Sequence, residues 1–145
     1  MKYIFFSIDE EKYWIEIDDS GYAIRQIILS EDGYHVSCVE DCLAEGKIVE
    51  NDLEVNVINI SVADFNIVWD KALDEYKQTW NMTKKKYKIN DFITATFAYF
   101  YPQGPIFKNK NIVIKYVGDK TVKLHDKLTL TVIGYDDTNM WLVAR

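Results

Sequence analysis

The chain has 145 residues, 48% of them hydrophobic and 14% aromatic, with four Trp and ten Tyr. That is enough apolar material to bury a core, and it excludes extended disorder. A formal net charge of −6 excludes wholesale attraction of the molecule to nucleic acid or anionic lipid. No apolar run approaches the roughly 20 residues of a bilayer span, so no membrane partner is expected. The opening Met1–Ile8 is broken by Asp9, Glu10 and Glu11 and reads as a strand rather than a secretory leader. Cys38 and Cys42 are too few for a disulfide framework, so reduced thiols and a cytoplasmic location are predicted.

Residues 2–39 read as an antiparallel meander. Lys2–Ile8, Tyr13–Ile17, Tyr22–Leu29 and Tyr34–Val39 are separated by Asp9–Lys12, Asp18–Gly21 and Ser30–Gly33, clusters of turn-forming residues. In the third strand, alternation puts Tyr22, Ile24, Gln26 and Ile28 on one face and Ala23, Arg25, Ile27 and Leu29 on the other. Both faces therefore need cover. Glu40–Gly46 suggests one helical turn stopped by Gly46, and Val55–Ile60 a short strand.

From Ser61 to Lys86 the pattern is helical: Val62, Phe65, Val68, Trp69, Ala72, Leu73, Tyr76 and Trp80 recur at i, i+3, i+4, i+7. Ser61 with Asp64 three residues on is an N-cap signal. This stretch predicts one long amphipathic helix with Trp69 and Trp80 on the same stripe. Charge changes sign along it: residues 1–83 hold 6 basic and 18 acidic residues, net −12, and residues 84–145 hold 11 and 5, net +6.

Beyond the helix the pattern is β throughout. Ile89–Tyr101 is followed by the break Pro102-Gln103-Gly104-Pro105, then by Ile112–Tyr116, Thr121–Leu124, Leu128–Tyr135 and Trp141–Ala144. Five short strands in about 60 residues suit a small closed barrel, because closure removes exposed edges.

Residues 87–145 resemble an OB-fold barrel of the S1 type. The resemblance lies in the turn Ile89-Asn90-Asp91-Phe92 before the first strand, the glycine-containing break Gln103-Gly104, the similar turn His125-Asp126-Lys127-Leu128, and the final Val-Ile-Gly-Tyr-Asp-Asp turn with its apolar strand. The chain departs from the family pattern at Gln103 and Ile106, where aromatics flank the family's glycine, and at Asn90 and His125, where it has glycines. The family's Gly-Leu-Val-His segment has no counterpart. The resemblance implies a barrel whose outward aromatics and lysines would stack bases and neutralise phosphates.

The expected fold class is thus α+β: an N-terminal antiparallel meander (1–60), one long amphipathic helix (61–86) and a C-terminal OB-like, five-stranded barrel (87–145). The candidate binding residues are Phe97, Tyr99, Tyr101, Phe107, Lys108, Lys110 and Lys115. Strict alternation places Phe97, Tyr99 and Tyr101 on one face and Phe92, Thr94, Thr96 and Phe100 on the other. The aromatic set either faces a ligand or packs against the helix and first sheet. Lys84-Lys85-Lys86 with Lys88 either contacts phosphate or forms a solvated cationic last helical turn. His35, Cys38, Cys42 and His125 lack the paired spacing of a metal site, so no metal or cofactor is expected. No nucleophile elbow, phosphate loop or dinucleotide fingerprint is present, and no enzymatic activity is expected. The sequence points to a non-catalytic binding protein for single-stranded nucleic acid. The alternative is an acidic module for a basic protein partner, with the composition of a toxin-neutralising immunity protein.

Overall fold

Short polar turns fold the first part of the chain into β1 (Lys2–Ile8), β2 (Glu11–Ile17), β3 (Ala23–Ser30) and β4 (Gly33–Val36). The structure, a computed structural model, describes residues 1–145. The turn between β2 and β3 is held by Asp18, whose carboxylate accepts the N–H groups of Ser20 and Tyr22 at 2.9 Å. A two-residue strand, β5 (Ile58–Asn59), pairs with β1, giving the antiparallel order β4-β3-β2-β1-β5.

One face of this sheet is organised by a buried charge. Tyr3, Glu16 and Arg25 stand opposite one another across three strands. Arg25 Nε donates to Glu16 Oε1 at 2.6 Å, and the Tyr3 hydroxyl donates to Glu16 Oε2 at 2.6 Å. Burial pushes the Glu16 carboxyl up, but the donors from Arg25 and Tyr3 outweigh it and hold the group below its ordinary value. Helix α1 (Val62–Ala72) lies over this row. Phe65 and Trp69 place their ring centroids 4.8 and 5.1 Å from the guanidinium carbon, and Asn66 Oδ1 accepts from Arg25 Nη2 at 3.1 Å. On the other face Ile4, Ile15 and Gln26 align. Gln26 Oε1 accepts the Ala44 N–H at 2.8 Å, so the segment after β4 covers that side.

The single long helix expected over Ser61–Lys86 is two short ones. The N-cap is as read, with Ser61 Oγ accepting the Asp64 N–H at 3.0 Å. However, α1 ends at Ala72, a 3-10 turn occupies Asp74–Tyr76, and α2 runs from Lys77 to Lys86. The chain divides into two units at this turn, 1–75 and 76–145. Phe65, Trp69, Ala72 and Leu73 are buried in the first unit and Trp80 in the second. One straight helix would point this whole stripe along a single line. The 3-10 turn falls where the stripe passes from one core to the other. The unit boundary also sharpens the charge division, with 18 acidic and 5 basic residues in 1–75 (net −13) and 5 and 12 in 76–145 (net +7).

The second unit is α2 and a closed five-strand barrel. Its strands are β6 (Phe92–Tyr101), β7 (Gly104–Asn109), β8 (Ile112–Tyr116), β9 (Lys127–Asp136) and β10 (Trp141–Ala144), in the order β10-β8-β7-β6-β9. Only β8 and β10 pair in parallel; β10 also pairs antiparallel with β9 and closes the ring. The count of five is as expected, but the membership differs. Gly104–Asn109 is a strand because Pro105 falls at its start, where the missing N–H is tolerated. Thr121–Leu124 is loop, fastened instead by side chains on either side of it: Tyr116 Oη accepts the Lys120 N–H at 3.1 Å and Asp126 Oδ2 accepts the Lys123 N–H at 2.8 Å. Phe97, Phe107, Ile114 and Leu142 form a continuous cross-strand row inside the barrel. No helix is long and apolar enough to cross a membrane.

Trp69→Ala should destabilise the first unit by about 3–5 kcal/mol, measured by urea unfolding. A change below roughly 1 kcal/mol would show that the Arg25–Phe65–Trp69 stack contributes no core. A second test concerns the edge strand β4, where His35 Nε2 lies 2.8 Å from Asp32 Oδ1 and Nδ1 lies 2.8 Å from Glu40 Oε2. The hydrogen bonds to Asp32 and then Glu40 raise the His35 pKa above its ordinary value. Its contribution to stability is therefore complete below the unfolded value of about 6.5 and disappears as pH rises through the raised folded value. The melting temperature of wild type over His35→Gln should be higher at pH 5.5 than at pH 8.5; an equal difference at both would refute the pairing.

Candidate functional site

Residues 92–118, which build β6, β7 and β8, contain no Asp or Glu. Their cations, Lys108, Lys110 and Lys115, cannot be neutralised from within the segment. Ladder register fixes where each lies. Phe97 pairs with Phe107, but Tyr99 pairs with Ile106, because a bulge interrupts β6 between them. Phe97 and Tyr99 therefore lie on opposite sides of the wall, where strict alternation had them together; the extra residue inverts the pattern. Phe97 and Phe107 are interior and buried, with ring centroids 5.7 Å apart. Tyr101 is also buried, its ring 4.7 Å from Tyr99 and 6.3 Å from Trp141. The expected set of seven thus contributes Tyr99, Lys108 and Lys115 to the outer side of the wall and Lys110 to the exposed tip of the β7–β8 turn. Lys108 Nζ lies 5.3 Å from the Tyr99 ring centroid.

The register also assembles a row that the sequence alone does not reveal. Lys108 on β7 stands opposite Thr96 on β6, and Thr96 stands opposite Lys127 on β9. Below it Thr94 faces Thr129, their hydroxyl oxygens 3.1 Å apart. Beyond that pair Phe92 faces Thr131, with 70% of Phe92 exposed. Outer β6 therefore runs from an exposed aromatic through two threonines to a pair of lysines. Alternation already grouped Phe92, Thr94 and Thr96. Lys127 is more than 30 residues away in sequence, and nothing local announces it.

Two equivalent turns hold β6 and β9 in this alignment. In Lys88-Ile89-Asn90-Asp91 and in Lys123-Leu124-His125-Asp126, the Asp N–H donates to the Lys carbonyl at 3.0 Å, and the Asp Oδ2 accepts the Lys N–H at 2.8 Å. The third residue has positive φ, 77° at Asn90 and 69° at His125, as the third position of a type II turn requires. These are the positions where the resembled family has glycine.

A shallow depression at the end of α2 is lined by Asn81, Lys84, Lys85, Lys88, Ile89 and Tyr135. Asp137 Oδ1 accepts from Lys84 Nζ at 2.7 Å and Trp80 Nε1 at 2.9 Å. Those two donors, Lys84 first, hold its carboxyl below the ordinary range. In the first unit a second depression is lined by Asp9, Glu10, Glu11, Ser30, Glu31 and Asp32.

The cysteines show no sign of activation. Cys38 is buried, and the Cys42 thiol is pushed up to about 12, chiefly by burial, so it is not a thiolate at neutral pH. No group of three or more His, Cys, Asp or Glu side chains is arranged to hold a metal ion.

Comparison of the chain with protein-family models, with curated proteins and with solved structures finds no match.

The exposure difference between Phe92 and Phe107 sets a stability test. Phe92→Ala should change unfolding free energy by no more than about 0.5 kcal/mol, whereas Phe107→Ala should cost about 3–5 kcal/mol. Chemical denaturation of the two variants checks this, and a large loss at Phe92 would make it a core residue.

Proposed function

We propose that this protein binds single-stranded nucleic acid without catalysis, through the outer wall of an OB-like, S1-like barrel in its second unit. The observation that carries the reading is the row Lys108–Thr96–Lys127 beside exposed Phe92. It offers two cations for phosphates, Lys108 on β7 and Lys127 on β9, and one aromatic face for a base on β6. A base can stack on Phe92 only if it is free of a duplex, which favours single strands.

Two further features support the barrel assignment. Numbered within the barrel, the strands close in the order first-second-third-fifth-fourth, with the third and fifth parallel. The two Lys-x-x-Asp turns stand at the positions expected for the resembled family's glycine turns. In OB-folds the faces of the second and third strands contact oligonucleotides; here those strands bear Lys108 and Lys115, with Lys110 between them.

Titration of a fluorescein-labelled oligonucleotide into the full chain at several salt concentrations tests the reading. Log affinity should fall linearly with log salt, and Lys127→Gln should reduce the slope by about 0.7, the value for one phosphate on a single strand. Phe92→Ala should weaken binding by about 1–3 kcal/mol and leave the slope unchanged. Absence of binding at low salt would overturn the proposal. The five carboxylates Asp9, Glu10, Glu11, Glu31 and Asp32 around one depression favour a second reading, a basic protein partner held by the first unit, as in an immunity-type protein. Capture of a purified basic nuclease domain, lost on neutralising Glu10, Glu31 and Asp32, would support that reading.

A further inference from the structure

We infer that the depression at the end of α2 is a second phosphate-contact region for the same strand, joined to the barrel wall by Ile89 and Phe92. The inference rests on the nucleic-acid reading above and adds to it a path and a minimum ligand length.

The depression presents the side chains of Lys84, Lys85 and Lys88 within five residues of chain. Cations at a helix C-terminus commonly do no more than offset the helix dipole, and the carbonyls exposed there repel an anion. Here the Tyr135 hydroxyl is turned toward that end of the helix, 3.4 Å from Lys84 O. The Tyr135 hydroxyl donates to Tyr87 O at 2.6 Å, and the Tyr87 N–H donates to Thr83 O at 2.9 Å. The neighbouring carboxylates are engaged as well: Asp91 Oδ2 accepts the Lys88 N–H at 2.8 Å, and Asp137 accepts from Lys84 and Trp80. Lys85 and Lys88 are exposed and line a recess beside which the Asp137 carboxylate is paired with Lys84.

The recess and the barrel wall are consecutive along the chain. Ile89 lines it, begins the tight turn into β6 and is 47% exposed. Three residues on stands Phe92, and Asn90 and Asp91 are bonded to Val132 of β9 in both directions, N–H to carbonyl at 2.8 and 2.9 Å. The segment Ile89–Phe92 is therefore fixed against the wall. From Phe92 to Thr96 the strand advances about 13 Å to the Lys108–Thr96–Lys127 row. The resulting order is two lysines, an exposed aromatic, a threonine pair and two lysines. It is a track on which a strand sets phosphates at both ends and a base on Phe92 between them. The ligand class is a single-stranded polynucleotide long enough to reach both lysine groups.

The test uses the full chain with oligothymidylates of about 4 and about 12 nucleotides, one at the short end and one well inside the range of site sizes of such barrels. Lys85→Gln/Lys88→Gln should lower the salt slope for the longer oligonucleotide by about 1.4, two phosphates on a single strand. The slope for the shorter one, anchored at the Phe92 wall, should fall by less than half as much. Lys85→Arg/Lys88→Arg should restore the slope. Lys12→Gln/Lys71→Gln, which removes the same charge from the first unit, should leave it unchanged. Coincident thermal melts identify the variants as folded. If the longer oligonucleotide binds wild type and the Lys85→Gln/Lys88→Gln variant with equal slope, or if the Lys12→Gln/Lys71→Gln control lowers the slope as much, this inference fails while the binding reading stands. If neither oligonucleotide binds wild type, the binding reading fails and the track with it.

Discussion

Barrel closure is the constraint on which the second unit depends. Five short strands laid flat would leave two unpaired edges and one apolar face without cover. Here β10 takes β8 on one side in parallel and β9 on the other antiparallel, so both problems are resolved by one strand. Closure turns Phe97, Phe107, Ile114 and Leu142 inward. It also turns the intervening lysines and threonines outward, so the proposed binding wall is the other side of the same alternation that makes the core.

The first unit solves its packing differently. Its sheet stays open and is covered on one face by α1, and the contact is organised around Arg25. A buried guanidinium is costly unless its charge and donors are met. Glu16 meets the charge, Asn66 accepts a hydrogen bond, and the rings of Phe65 and Trp69 lie beside its face. Such an arrangement tolerates only one register of β2 on β3 and one placement of α1. Part of the unit's surplus negative charge lies in and beside its turns, at Asp9–Glu11 and Glu31-Asp32.

Much of this was legible from short-range patterns. The meander strands follow from turn residues at Asp9, Asp18 and Glu31, the α1 start from Ser61 and Asp64, and the barrel from short β runs at close spacing. The break at Asp74–Tyr76 was not legible, because the apolar spacing from Phe65 to Trp80 continues through it and does not say which core each residue enters. The bulge beside Ala98 was hidden likewise: one unpaired residue moves Tyr99 across the wall, and nothing in Phe97-Ala98-Tyr99 signals it. For the candidate site, the side chains of β7 and β8 were found from local composition. Phe92 had been set on the opposite face to the chosen aromatics. Lys127 joins the wall only through pairing with Thr96, a non-local fact.

The position of β10 also bears on how the molecule reaches this state. Every contact that closes the barrel waits for Trp141–Ala144, the last of its strands, while the meander assembles from hairpins between sequence neighbours. Topologies that depend on distant pairings fold slowly. During synthesis the barrel therefore passes through an open sheet whose β8 and β9 edges are free and whose Phe107 and Ile114 are wet, a form prone to self-association. N-terminal domains generally fold first during synthesis, so this order of pairing would set a folded anionic unit ahead of an unfinished cationic one.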